Sequence, residues 1–88
     1  MIKTIIKFHA DWCRPCQMMK PVFESVQNEL PNNIYKEINI DHNQTMASKY
    51  GVTSIPTTII LTEGRVIGRH TGFMSKQQLK KFIEDTNG

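Results

Sequence analysis

The 88 residues hold two cysteines, Cys13 and Cys16, with Arg14 and Pro15 between them and Trp12 in front. Two thiols at this spacing can close and reopen a disulfide if a helix starts between them. The apolar run before them reads as a strand and the residues from Arg14 onward as a helix, so Cys13 falls at the helix N-terminus. Unpaired backbone N–H groups and the helix macrodipole favour an anion there. Cys13 is therefore the expected thiolate. Cys16, one turn further on and nearer the sheet, is within bonding reach and shielded from solvent, which suits a resolving thiol. Pro15 fits a first helical turn because the N–H it lacks was unpaired anyway. Arg14 adds a fixed positive charge that is expected to lower the pKa of Cys13 further.

Other uses of the pair fit less well. A structural zinc site usually needs a second cysteine or histidine pair, and His9, His42 and His70 are scattered without ligand spacing. The net charge of +3 is spread among alternating basic and acidic residues with no basic block, which argues against a nucleic-acid surface. No apolar run approaches membrane-spanning length, and the first residues lack the long apolar stretch and cleavage site of a secretory signal. A cytoplasmic protein is expected, in a compartment where closely spaced cysteines are more often catalytic than structural. A hydrophobic content of 39% in a chain of this length supports one domain spanning 1–88.

The elements that must position the pair follow from periodicity. Residues 2–9 read as a strand with Ile2, Thr4, Ile6 and Phe8 on one face and Lys3, Ile5, Lys7 and His9 on the other. A helix over 14–30 presents Met18, Met19, Val22, Phe23, Val26 and Leu30 as an apolar stripe, with Pro21 expected to kink it. Pro31-Asn32-Asn33 stops it, and a strand follows over 34–40. A short helix over 41–50 is closed by Gly51. Strands over 57–61 and 66–70 form a hairpin through Thr62-Glu63-Gly64-Arg65. Ser75 and Gln78 make a capping box for a final helix with Leu79, Phe82 and Ile83 inward. Ile2, Ile6, Phe8, Ile34, Ile38 and Ile40 form an apolar face that only the short helix near Met46, Ala47 and Tyr50 can cover, so part of it is expected to be exposed or used by a partner.

The order of elements is an α/β pattern with a parallel crossover followed by an antiparallel hairpin. Trp12-Cys13-Arg14-Pro15-Cys16 with Pro21 five residues on, Asn39-Ile40-Asp41, Tyr50-Gly51-Val52, Ile55-Pro56-Thr57 and Gly72 resemble the thioredoxin family in order and spacing. The resemblance covers nearly the whole chain, without the strand and helix that usually precede this point in the family. It implies a thioredoxin-like fold trimmed to a four-stranded mixed sheet flanked by three helices, closer to glutaredoxin size. It also implies a cis peptide before Pro56, with Trp12, Ile55, Pro56, Thr71 and Gly72 forming a shallow substrate-docking surface. The implied activity is reduction of protein disulfides through a Cys13/Cys16 dithiol and a mixed disulfide, with no bound cofactor. Electrons would come from an NADPH-dependent thioredoxin reductase or, given the short chain, from glutathione. A binding subunit of a larger enzyme is the third reading, and a monomer is expected because the docking face must stay open.

Three positions depart from the family pattern. A buried aspartate before the first cysteine and a lysine on the neighbouring strand are usual, whereas here the matching residues are Lys7 and Glu37. The charges have exchanged strands, and both groups are expected to support the resolving step if they lie beneath the active-site helix. His9 stands where an aromatic residue is common, as packing or as an added titrating group. Arg14 replaces the usual glycine of the motif and is expected to favour the reduced form, making the pair a better oxidant.

Overall fold

The strand predicted ahead of the cysteines is the second of four in the sheet, and both its neighbours contribute to the site. The computed structural model describes residues 2–88; Met1, the first residue of the expected domain, lies outside them. Strand β1 (Thr4–His9) pairs in parallel with β2 (Ile34–Asn39) and antiparallel with β3 (Thr57–Thr62), which pairs antiparallel with β4 (Arg65–Thr71). The order across the sheet is β2-β1-β3-β4. Helix α1 (Arg14–Glu29) makes the crossover between β1 and β2, α2 (Gln44–Lys49) joins β2 to β3, and α3 (Lys76–Asp85) closes the fold. This is the expected four-stranded mixed sheet with three helices.

Local chemistry sets the boundaries. β1 begins at Thr4 rather than Ile2. α2 begins at Gln44 rather than Asp41, because the Asn39 side chain accepts from the Asp41 backbone N–H and the Asn43 side chain caps the helix by accepting from the N–H of Met46. α1 continues through Pro21. Glu63 and Gly64 both have positive φ, 52° and 76°, as a two-residue turn with the twist of its flanking strands demands. The capping box of α3 forms as expected, with Ser75 and Gln78 satisfying each other's backbone N–H groups.

The sheet separates two cores. On one face Ile5 and Ile60 pack with Met19, Phe23 and Val26 of α1 and with Leu79 and Ile83 of α3. Met18, expected in the α1 stripe, is instead 56% exposed, since its position turns it away from the sheet. Lys3 is buried on this same face and donates from Nζ to the Ile83 carbonyl near the C-terminus of α3, where the helix dipole favours a cation. On the opposite face Ile6, Phe8, Ile59 and Leu61 form a smaller core under Met46, Tyr50 and Ile55. The expectation of incomplete cover divides here: Ile6 and Phe8 are buried and Ile38 and Ile40 half-buried, while Ile2 and Ile34 stand exposed, as does Val66 of β4. α2 is too short to reach them.

Candidate active site

Cys13 ends the loop after β1 with extended backbone and serves as N-cap of α1, its sulfur accepting from the N–H of Cys16 at 3.3 Å. The two cysteines form a disulfide across a Cα separation of 5.2 Å. Both are almost fully buried, Cys13 at 5% and Cys16 at 3% exposure. Exposure therefore does little to tell the two sulfurs apart in the oxidised state. What differs is the cap position of Cys13 against the sheet-facing position of Cys16 within the first turn of α1.

The ground around Cys13 is a shallow rim. Trp12 is 69% exposed, and its indole N–H donates to Asp41 at 2.8 Å, which holds the ring beside the cysteines. Cys13 Sγ lies 3.9 Å from the Ile55 carbonyl oxygen. The Ile55–Pro56 peptide is cis, as the resemblance implied, and the Pro56 carbonyl accepts from the N–H of Gly72 at 2.7 Å. That bond ties the loop before β3 to the end of β4. Gly72 has φ 108°, and a Cβ built there meets no atom of the protein within 4 Å, so the space above it is free for an approaching chain. Ile55 is half-buried and Thr71 exposed, whereas Pro56 is buried and shapes the rim from beneath instead of lining it. Arg14 and Pro15 are exposed at the start of α1.

Sequence reasoning named Asp41 only within the Asn39-Ile40-Asp41 motif, without its role as anchor of Trp12, and did not single out a second anchor, Asp11. The backbone oxygen of Asp11 accepts from Gln17 Nε2, and its carboxylate accepts from Asn39 Nδ2 at 3.2 Å. The signal for both was available. Parallel pairing of β1 with β2 brings the residues following one strand alongside those following the other, so Asn39 and Asp41 must flank Asp11 and Trp12.

Beneath Cys16 the register sets Lys7 opposite Glu37 on β2 and Thr58 on β3. Lys7 is 1% exposed; its Nζ lies 2.8 Å from Glu37 Oε1 and 5.2 Å from the centroid of the Phe23 ring, so the buried ammonium has a carboxylate and an aromatic face as partners. The Glu37 side chain reaches solvent, at 34% exposure. The two residues do pair, with the cation inside and its counterion at the protein edge. His9 lies two residues further along the same face, half-buried. Its pKa is lowered, by burial first and by the Lys7 ammonium next, with Glu37 and Asp11 opposing. Among the described residues no three His, Cys, Asp or Glu side chains are grouped to hold a metal. No helix among them is long and apolar enough to cross a membrane.

The thioredoxin family model matches residues 2–85. The chain belongs to the thioredoxin family. The thioredoxin of Bacillus subtilis (strain 168) is 40% identical over 81 residues, a match spanning 91% of this chain and 78% of the relative. That of Chlamydia caviae is 39% identical over 80 residues with the same coverage. The structure of Fasciola hepatica thioredoxin superposes with a TM-score of 0.92 at 28% identity, covering 98% of this chain and 82% of that one. Family membership together with the Cys13–Cys16 pair makes this chain a thiol-disulfide oxidoreductase acting on proteins. The matches leave about a fifth of each relative's length uncovered.

Proposed function

We propose that this thioredoxin family member is a general reductase of protein disulfides in the cytoplasm, recharged by an NADPH-dependent flavoprotein reductase. The observation that carries the reading is Cys13 as N-cap of α1, set in a rim where Trp12 stands exposed and Gly72 leaves open space. An extended substrate segment lies along Ile55 and the Thr71–Gly72 turn, and its disulfide meets the Cys13 sulfur. The Cys13 thiolate attacks one substrate sulfur and releases the other as a thiolate, leaving a mixed disulfide. Cys16 then attacks Cys13 Sγ, closes the Cys13–Cys16 bond and expels the reduced substrate. An open rim of this kind suits a monomer.

Lys7 and Glu37 support the second step in this reading. An ammonium beneath Cys16 favours the thiolate that must attack, and Glu37 is the counterion that offsets its burial. Lys7→Met is expected to slow release of the mixed disulfide about tenfold while leaving alkylation of Cys13 unchanged. Equal slowing of both steps, or of neither, would reject the assignment.

The electron donor is tested by the equilibrium reduction potential of the pair, read by thiol alkylation in defined redox buffers. A value near the −270 mV or so of thioredoxins, with NADPH-dependent turnover of insulin disulfides by a thioredoxin reductase, is the expected result. A value near the roughly −200 to −230 mV of glutaredoxins, with turnover on glutathione alone, would overturn the choice of donor and make Arg14 the first residue to replace.

A further inference from the structure

A cavity of about 280 Å³ opens beside Cys16 on the side away from the docking rim. It is lined by Cys16, Gln17 and Lys20 of α1, by Lys7 and His9 of β1, by Ala10 and Asp11 after β1, and by Glu37 of β2. With water occupying roughly 30 Å³ per molecule, the space admits several, and its lining supplies the polar partners they need. The resolving cysteine therefore has its own connection to solvent, separate from the rim where substrate docks.

From this arrangement we infer that His9 accepts the Cys16 proton during resolution, through cavity water. The inference rests on Cys16 being the resolving thiol. The charges in the cavity decide which group can do this. Lys7 and Lys20 carry two positive charges, Asp11 and Glu37 two negative ones, and neutral His9 leaves the sum at zero. Moving a proton from the Cys16 thiol to the imidazole creates a thiolate and an imidazolium inside the same cavity. The sum stays at zero, so no net charge is buried. The Lys7 ammonium is bonded to Glu37 and has no free site for another proton, while the Asp11 carboxylate accepts from Asn39. His9 also has its pKa lowered, by burial and by Lys7, so it is neutral at pH 7 and free to accept.

The step balances as follows. The Cys16 S–H bond breaks and its proton passes by water to the unprotonated nitrogen of His9. The Cys16 sulfur bonds to Cys13 Sγ as the Cys13–substrate S–S bond breaks, and the substrate sulfur leaves with the electron pair as a thiolate. After resolution the imidazolium releases the proton to cavity water, and when a reductase opens the Cys13–Cys16 bond the departing Cys16 sulfur takes a proton back from that water by way of His9. His9 is thus a proton-relaying residue and touches neither the substrate nor the breaking bond.

The test uses the reduced chain and excess 5,5′-dithiobis(2-nitrobenzoate), followed by stopped-flow absorbance. The first release of nitrothiobenzoate reports attack by Cys13, and the second, independent of reagent concentration, reports resolution by Cys16. In the native chain the second rate is expected to be level above the His9 pKa and to fall below it. In His9→Phe, which keeps an aromatic ring, and in His9→Gln, the second rate is expected to drop about tenfold or more at pH 7 and to climb steadily toward the pKa of a free thiol. The first rate is expected to stay unchanged, which also establishes that the variants are folded. A second phase of native pH profile in both variants would overturn the role of His9 alone. Absence of any second release from the native chain would overturn the reading of Cys16 itself, and His9 with it.

Discussion

The two faces of the sheet carry nearly equal apolar strands but receive unequal cover. Beneath α1 and α3 the inward residues Ile5 and Lys7 of β1, Thr58 and Ile60 of β3, and Lys3 just before β1 are buried whether apolar or not, while His9 beside the site is half-buried. On the α2 face Ile6, Phe8, Ile59 and Leu61 are buried as well, but the margins are open: Ile38 and Ile40 are half-buried, and Ile2, Ile34 and Val66 face solvent. Redox chemistry sits against the closed face. Only there does a single charge such as Lys7 act in a low-dielectric setting and bear on a neighbouring sulfur; on the open face water would screen it.

Truncation should expose the contrast most strongly. Ile5→Ala is expected to destabilise the fold by about 3 kcal/mol in urea denaturation, because the helices on both sides prevent collapse of the cavity, whereas Ile34→Ala should cost less than about 1 kcal/mol. Comparable losses at the two sites would mean the open face is covered in solution. A smaller effect sharpens the picture. The buried Thr58 hydroxyl has no hydrogen-bond partner among the described residues, so Thr58→Val is expected to raise stability by about 1 kcal/mol. A loss there would reveal a partner for that hydroxyl. The smallest effect is in the acid limb of stability. Folded His9 titrates below its unfolded value of about 6.5, so the unfolded chain takes up the proton first as pH falls. Stability is therefore full above about pH 6.5 and declines as pH drops through the folded His9 pKa. His9→Phe should flatten that part of the curve, measured as Tm against pH, and an unaltered slope would assign the acid sensitivity to carboxylates such as Glu29.

Much of this was legible in the chain. The period-2 split of β1 assigned Ile5 and Lys7 to one face and Ile6 and Phe8 to the other, and the positions of the glycines and capping residues announced the hairpin and α3. The pairing of Lys7 with Glu37 was implied by the resemblance, which matched the two positions, and alternation allowed it; the parallel register of β1 with β2 supplies the contact. The burial of Pro56 and of the Cys13 sulfur was not readable, because each depends on how a loop folds over the end of the sheet, and no periodicity records that. Nor was the cavity under Cys16, which exists because Gln17 and Lys20 of α1, His9 of β1 and Glu37 of β2 come from three elements and leave space between them. Met18 was misread for a simpler reason: in a helix, adjacent residues differ by about 100° in direction, so Met18 and Met19 cannot both face the sheet.

The exchanged charges at Lys7 and Glu37 also constrain how this sequence can change. Lys7→Glu alone would set two carboxylates against each other beneath Cys16, and Glu37→Lys alone would do the same with two ammoniums, one of them buried without a counterion. Only the paired replacement restores a neutral sum. The two positions are therefore bound as one heritable unit across strands thirty residues apart, and passage between this arrangement and its mirror runs through an intermediate with a neutral side chain at one or both.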